Sequence, residues 1–283
     1  MRLLTALKWE LVKLFWRPSA YIGYVVILVV VPLVAAGAKH IERHSAGGPL
    51  RRGLGDDFVV AGNIVNGPLL AYVVLGPSLI MLLPVLATIV SSSQVAGERY
   101  TGVLRMLLVR PVSRTTVLLS KFIVSALHAA TLALVLGGVS FGLGYVLWGG
   151  GNLAIPEPPF REFTGAEVYQ RLGLAYALAG CGLVAMSSIA LLFSVLVRNP
   201  AAAAGMAVAF LLLSAIAEGV FQELDWHAAI PYLINRHIVA FRQATEVTIP
   251  TREVVHSLLA LGLYTVIPFL IGLVVFERKD VLC

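Results

Sequence analysis

The residues best suited to chemistry in this chain lie between Val95 and Lys121. Glu98 and Arg99 stand side by side, with Gly97 and Gly102 around them. Leu104, Leu107 and Leu108 follow at helical spacing, and Pro111-Val112-Ser113-Arg114 closes the run before Lys121. A carboxylate can accept charged hydrogen bonds, worth roughly 1.5–3 kcal/mol when well formed. Gly102 permits close approach of another backbone. The leucine stripe roots a short helix, and Pro111 stops it. A loop that obeys the charge rule of inner segments explains the basic residues of this set but not the order of the rest.

Elsewhere the reactive residue types are scattered. No Gly-x-x-x-x-Gly-Lys-Ser/Thr occurs in the sequence, so the backbone cradle and lysine that hold ATP phosphates are missing from it. Asp56 and Asp57 are adjacent and diverge on a helix or a strand. Cys181 and Cys283 form no C-x-x-C pair. His40 and His44 have the i, i+4 spacing of metal ligands, but a lone pair in a polar loop reads as solvated, and no metal site is expected. No Ser-His-Asp, paired-carboxylate or Cys-His set can be placed at one membrane depth, so no catalytic residue is assigned. Glu218 is the one acid inside an apolar run. Ionisable groups there are costly and point to function, which makes Glu218 a candidate for a cavity or gate. The alternative is that it reaches the outer interface, one turn from Gln222 and Glu223. Ser187, Ser188 and His128 read as hydrogen-bond donors between helices.

The elements that position these residues follow from composition. The chain is 59% hydrophobic and 13% charged over 283 residues, with a mean hydropathy of +0.89. Charge so scarce cannot cover a globule in water, and lipid must cover it instead. Six apolar runs are long enough to span ~30 Å as helices: 19–38, 68–91, 122–148, 172–197, 201–221 and 257–276. Arg198-Asn199-Pro200 is the turn between the fourth and fifth. Residues 1–18 put Leu3, Leu4, Leu7, Leu11, Leu14 and Phe15 on one arc and Arg2, Lys13 and Arg17 opposite, an amphipathic helix for the membrane interface. Trp9 and Trp16 suit headgroup depth. Ala36-Gly37-Ala38 imitates a signal cleavage site, but the region before the apolar run is too long and too patterned for a leader. The outer loop 222–256 is apolar enough, with Trp226, Ile230, Tyr232 and Phe241, to hold short helices against the bilayer.

Basic residues orient the chain. Arg2, Lys8, Lys13 and Arg17 precede the first span. Arg99, Arg105, Arg110, Arg114 and Lys121 lie between the second and third, Arg198 between the fourth and fifth, and Arg278 and Lys279 after the last. Both termini are therefore expected inside, and the positive charge needs no nucleic-acid partner to explain it.

The order of residues from Gly97 to Lys121 resembles the permease subunits of the type-2 ABC (ABC-2) exporter family. Their second inner segment reads approximately Gly-Glu-Arg-x-x-Gly-x-Leu-x-x-Leu-Leu-x-x-Pro-Val-Ser-Arg, followed by a lysine at the third span. Val103 stands where that family commonly has threonine. The amphipathic start, the six spans and the closing Phe276-Glu-Arg-Lys-Asp280 extend the likeness over the chain. The resemblance implies a single transmembrane domain over 1–283 with a coupling helix in 95–114. Gly97, Glu98, Arg99, Gly102, Leu104, Leu107, Leu108, Pro111 and Arg114 would meet a separate nucleotide-binding ATPase subunit, present in two copies. ATP and Mg would be held in that partner, with no cofactor bound by this chain. A second permease subunit, identical or similar, and membrane lipid would be the other partners. The location implied is a bacterial or archaeal cytoplasmic (inner) membrane. Export of a substrate, or force transmitted to another protein by a non-transporting anchor, both fit. An intramembrane enzyme acting on lipid-linked substrates is the rival reading.

Overall fold

Six helices in the structure are long and apolar enough to cross a membrane, and the chain is an all-α membrane protein. The computed structural model describes residues 3–44, 66–103, 113–155 and 161–278, the side chains of 41–44 excepted. Helix α1 (Leu3–Trp16) is separated at Arg17 from α2 (Pro18–His44). Helix α3 (Gly67–Ser93) turns at Gln94 and Val95 into the short α4 (Ala96–Tyr100). Then come α5 (Arg114–Trp148), the strands β1 (Leu153–Ile155) and β2 (Arg161–Phe163), α6 (Ala166–Leu196) and α7 (Pro200–Glu223). A 3-10 turn at Ile230–Tyr232, α8 (Ile234–Ile238) and a 3-10 stretch at Val239–Thr245 lead to α9 (Thr251–Arg278). The spans are α2, α3, α5, α6, α7 and α9.

The helices run past the limits that apolar residues alone suggest. α5 begins at Arg114 rather than at 122, and α6 at Ala166 rather than at 172. A helix does not stop where lipid stops; its end is set by capping. The Ser113 hydroxyl accepts a hydrogen bond from the Thr116 N–H, and the Asn199 side chain accepts one from the Ala201 N–H. Pro200 sits at the first helical position, where no N–H is needed. Of the expected segment 95–114, α4 is described, while Leu104, Leu107, Leu108 and Pro111 lie outside the described residues. The hairpin is an addition to the expected all-helical plan: β1 and β2 pair antiparallel with Leu153 opposite Phe163.

α6 is the axis of the bundle and packs against α3, α5, α7 and α9. Its most apolar stretch is 72% buried, against 17% for α9 and 22% for α7. Leu75, Leu79, Leu132, Leu136, Leu183 and Met186 fill the space around it and are fully buried. The outward sides expose Leu28 and Leu33 of α2, Leu213 of α7, and Leu259 and Leu263 of α9. In lipid that exposure carries no hydrophobic penalty, so close packing must hold the helices together. α3 and α5 show how: a Cβ on Gly144 would stand 2.7 Å from the Gly67 Cα, so these backbones touch.

α3 is irregular at its centre. Ser78–Leu82 form a π turn between Pro77 and Pro84, and the Leu83 N–H reaches back five residues to the Ser78 carbonyl. Each proline lacks an N–H and crowds the carbonyl four residues before it, which favours a wider turn. The bundle has two ends. α1, α4, the start of α5 and the close of α6 and α9 meet at one, the α1 end. The hairpin, α8 and the long connection before α9 make the other, the hairpin end.

Candidate functional site

The clearest concentration of charge among the described residues is at the α1 end. Glu98, on α4, is only 3% exposed. Its Oε2 lies 2.7 Å from the Nζ of Lys121 in an ion pair. Its Oε1 accepts a hydrogen bond from Lys13 Nζ at 3.0 Å and stands 3.8 Å from Arg17 Nη2. Lys121, two turns into α5, is 0% exposed and also donates to both oxygens of Glu10 at 3.2 Å. Lys13 completes the ring, donating to Glu10 Oε1 at 2.9 Å. Three helices remote in sequence are thus tied by alternating charges. Burial pushes the Glu98 carboxyl up, but the Lys121 and Lys13 charges and their hydrogen bonds outweigh it and hold it below the usual carboxylate range. Burial pulls the Lys13 ammonium down, and the Glu98 and Glu10 charges lift it above its ordinary value.

The sequence reading offers Glu98 to another chain, but both of its oxygens are engaged within this one. It also places Lys13 on a solvated face. The cause of the difference is Glu10, an acid at the edge of the leucine arc of α1, which turns that side of the helix toward α5. Glu10 is 5% exposed, and the sequence did carry a signal for it: the i, i+3 pair Glu10–Lys13.

The turn from α3 into α4 is held by α6. Ser194 Oγ accepts hydrogen bonds from the Val95 and Ala96 N–H groups at 3.1 and 2.8 Å. The same hydroxyl donates to the Ser92 carbonyl. The backbone groups freed by the break therefore find partners in a single side chain. Arg99 Nη1 donates to the Val195 carbonyl. Burial and the nearby Arg198 charge lower the Arg99 pKa, and a guanidinium stays charged regardless. Neither Arg99 nor Arg198 pairs with a carboxylate among the described residues. Tyr100, the next residue, is 75% exposed.

The remaining motif residues divide by role. Among the described residues a Cβ on Gly97 would meet only the Ser93 Cβ, at an ordinary 3.6 Å, so no close approach among them demands glycine there. Gly102 has φ +75°, and no described atom lies within 4 Å of where its Cβ would stand, so its glycine serves the left-handed turn that ends α4. Arg114 donates to the Phe276 and Glu277 carbonyls at 3.2 and 2.8 Å, capping the last turn of α9.

Other candidates sit apart from this site. Glu218, half-buried on α7, accepts a hydrogen bond from Asn235 of α8 at the hairpin end. Ser188 donates to the Thr265 carbonyl of α9, and His128 Nε2 lies 3.2 Å from the Ala20 carbonyl of α2, both helix-to-helix contacts of the expected kind. A cavity of about 460 Å³ between α5, α6 and α9 is lined by Ala133, Tyr176, Gly180, Cys181, Leu261 and Val266. It is almost wholly apolar and includes neither Glu98 nor Glu218. No group of three or more His, Cys, Asp or Glu that could hold a metal occurs among the described residues.

The family model described as "Protein of unknown function (DUF2705)" matches residues 60–282. The chain belongs to this family. The DUF2705 match takes in α3 through α9, so Glu98, Lys121 and Ser194 fall inside it, while Glu10 and Lys13 come from the residues before it. The uncharacterized protein YhcI of Bacillus subtilis (strain 168) is similar to the chain, 25% identical over 217 residues. That similarity covers 75% of this chain and 68% of YhcI.

Proposed function

We propose that the chain is the permease subunit of an ATP-driven exporter. It works with a second permease subunit, identical or similar, and with two copies of a separate nucleotide-binding ATPase subunit. ATP hydrolysis in those subunits drives export of a substrate or transmits force across the membrane. The ABC-2 resemblance of residues 97–121 suggests the class. The observation that carries the reading is the clamped position of α4. Glu98 binds α4 to α1 and α5, and Ser194 and Arg99 bind it to α6. A push on the segment that follows α4 would reach all of these helices together. Beside the clamp, exposed Tyr100 and the pair Arg99 and Arg198, which meet no carboxylate among the described residues, suit a partner surface with an apolar pocket and an acid.

In this reading the α1 end faces the cytoplasm of a bacterial or archaeal cell, with both termini inside. In a cysteine-free background, Thr164→Cys should react with an impermeant thiol reagent in intact cells and Ser113→Cys should not; the opposite pattern would invert the orientation. Full-length chain purified from its native membrane into nanodiscs should carry ATP hydrolysis by an associated subunit. Tyr100→Glu with Arg198→Glu should abolish that activity while the six spans still insert. The reading fails if the wild-type preparation hydrolyses no ATP, or if the double variant hydrolyses and transports as wild type does.

A further inference from the structure

α1 meets the bundle through charge, and its outward side is suited to lipid. Leu4, Trp9, Phe15 and Trp16 are all exposed, a composition that belongs at the junction of headgroups and acyl chains. At the rim of the ion cluster, Lys13 and Arg17 remain about one-third and one-quarter exposed. Both reach toward the same atom, Glu98 Oε1, at 3.0 and 3.8 Å, so their cationic nitrogens lie within about 7 Å of each other. Among the described residues neither uses all its donors. Lys13 makes two side-chain hydrogen bonds of a possible three. Arg17 hydrogen-bonds only through Nη1, to the Ser93 carbonyl and hydroxyl, which leaves Nε and Nη2 without a hydrogen bond among the described residues. The cluster sets three cations, Lys13, Arg17 and Lys121, against two carboxylates, an excess of positive charge beside the membrane surface.

We propose that Lys13 and Arg17 hold the phosphate of an anionic membrane phospholipid, and that this headgroup competes with Glu98 for them. Two cations with spare donors, close enough for one phosphate to bridge, match that group, and the exposed apolar side of α1 seats the acyl chains. Lys121 is fully buried and keeps its own carboxylates, so competition at the rim loosens the tie between α1 and α4 without opening the inner pair. The lipid composition at the α1 end then sets how tightly α4 is restrained. The binding step does not depend on the exporter reading and is measured without ATP or a partner protein.

The test uses full-length chain in nanodiscs of phosphatidylcholine with a minor fraction of phosphatidylglycerol, with retained lipid counted by native mass spectrometry. The wild type should retain phosphatidylglycerol selectively. Lys13→Gln and Arg17→Gln should each lower that retention roughly five-fold, the worth of one cation near an anionic surface. Arg17→Lys should keep most of it, which separates lost charge from lost fold. Glu98→Gln, which removes the competitor, should raise it. Inorganic phosphate added to pure phosphatidylcholine nanodiscs should not bind; saturable binding there would make the ligand a free anion and overturn the lipid assignment. An equal loss in Lys8→Gln, exposed on the same helix but outside the cluster, would reduce the effect to diffuse surface charge and overturn the site. So would unchanged retention in both Gln variants.

Discussion

The two ends of the bundle each bury charge, and they satisfy it in opposite ways. At the α1 end, Lys121 and Glu98 are neutralised by other charged side chains on remote helices. At the hairpin end, Arg171 of α6 is 8% exposed and spends most of its donors on backbone. Its Nη1 donates to the Ala244 and Glu246 carbonyls at 3.2 and 2.8 Å, and its Nη2 to Val247 at 3.3 Å. Among the described residues only Glu167, one turn earlier on the same helix, gives it a carboxylate, and the guanidinium lies 4.8 Å over the Phe163 ring. A carbonyl neither titrates nor finds another charge to pair with, so this contact is a fixed clasp. A carboxylate shared by several cations can be redistributed among them. The α1 end therefore has the means to change state, and the hairpin end has the means to stay put.

The sharpest way to break that contrast is Lys121→Met. It leaves the buried Glu10 and Glu98 with only the partly exposed Lys13 and Arg17 as partners, and removal of one partner of a buried pair costs about 3–5 kcal/mol. Thermal unfolding in detergent should fall accordingly, and Glu10→Gln added to Lys121→Met should restore part of the loss, because the two groups share one network. Simple additivity would mean that the cluster is not a unit. Arg171→Ala should cost less, about 1–3 kcal/mol for the buried Ala244 carbonyl it strands, since water can reach Glu246 and Val247, and the damage should be local. Hydrogen exchange should rise over 239–250 and stay unchanged over 3–16; a rise at both would deny that the ends are independent.

Acidification should separate the ends more gently. Burial lowers the His237 pKa, and the His256 and Arg236 charges act in the same direction, against the Pro231 hydrogen bond and Glu218. Nε2 faces the Pro231 carbonyl at 2.8 Å and Nδ1 faces the Ser257 hydroxyl at 3.4 Å, a fit for the neutral ring. With the folded value below the ordinary 6.5, the unfolded chain binds the proton more readily. The stabilisation is present above about pH 6.5 and is lost as pH falls through the folded value. Glu98, held below 4.5, keeps its contribution down to more acidic pH, and Lys13, raised above 10.5, keeps its own at neutral pH and beyond. Between pH 7 and 5, exchange protection should decline around α8 and not around α1 and α4, and His237→Asn should remove the response. The smallest effect is expected from Gly97→Ala. The added methyl meets only ordinary contact and favours the helix, so stability should hold or rise slightly, and a large loss would mean another surface needs that glycine.

The spans were legible because twenty consecutive apolar residues have few other uses, and Asn199-Pro200 announced its turn by capping chemistry. What escaped were features that depend on a neighbour. Arg171 reads as a loop cation until the Val239–Thr245 stretch folds against α6 and supplies carbonyls. The break at Gln94–Val95 carries no proline or glycine; it is stabilised by Ser194, about a hundred residues away. Glu98 was legible as important but not in its partnership, since pairing with Lys13 and Lys121 requires the packing of α1 on α5. The motif around it mixes groups that build the joint, such as Ser113 and Arg114, with groups such as Tyr100 that face outward.

The π turn in α3 has a genealogical consequence. One such turn is an α-helix with a single residue inserted, and the surplus is confined to Ser78–Leu82. A relative that lacks one residue between the counterparts of Pro77 and Pro84 could run as plain α-helix there. It would still deliver the counterparts of Gly67 and Glu98 in phase with their partners at either end. Length variation along α3 should therefore collect in that stretch. Removing one residue anywhere from Pro84 to Ser93 would instead rotate the approach to α4 by about 100°, away from Lys121 and Ser194.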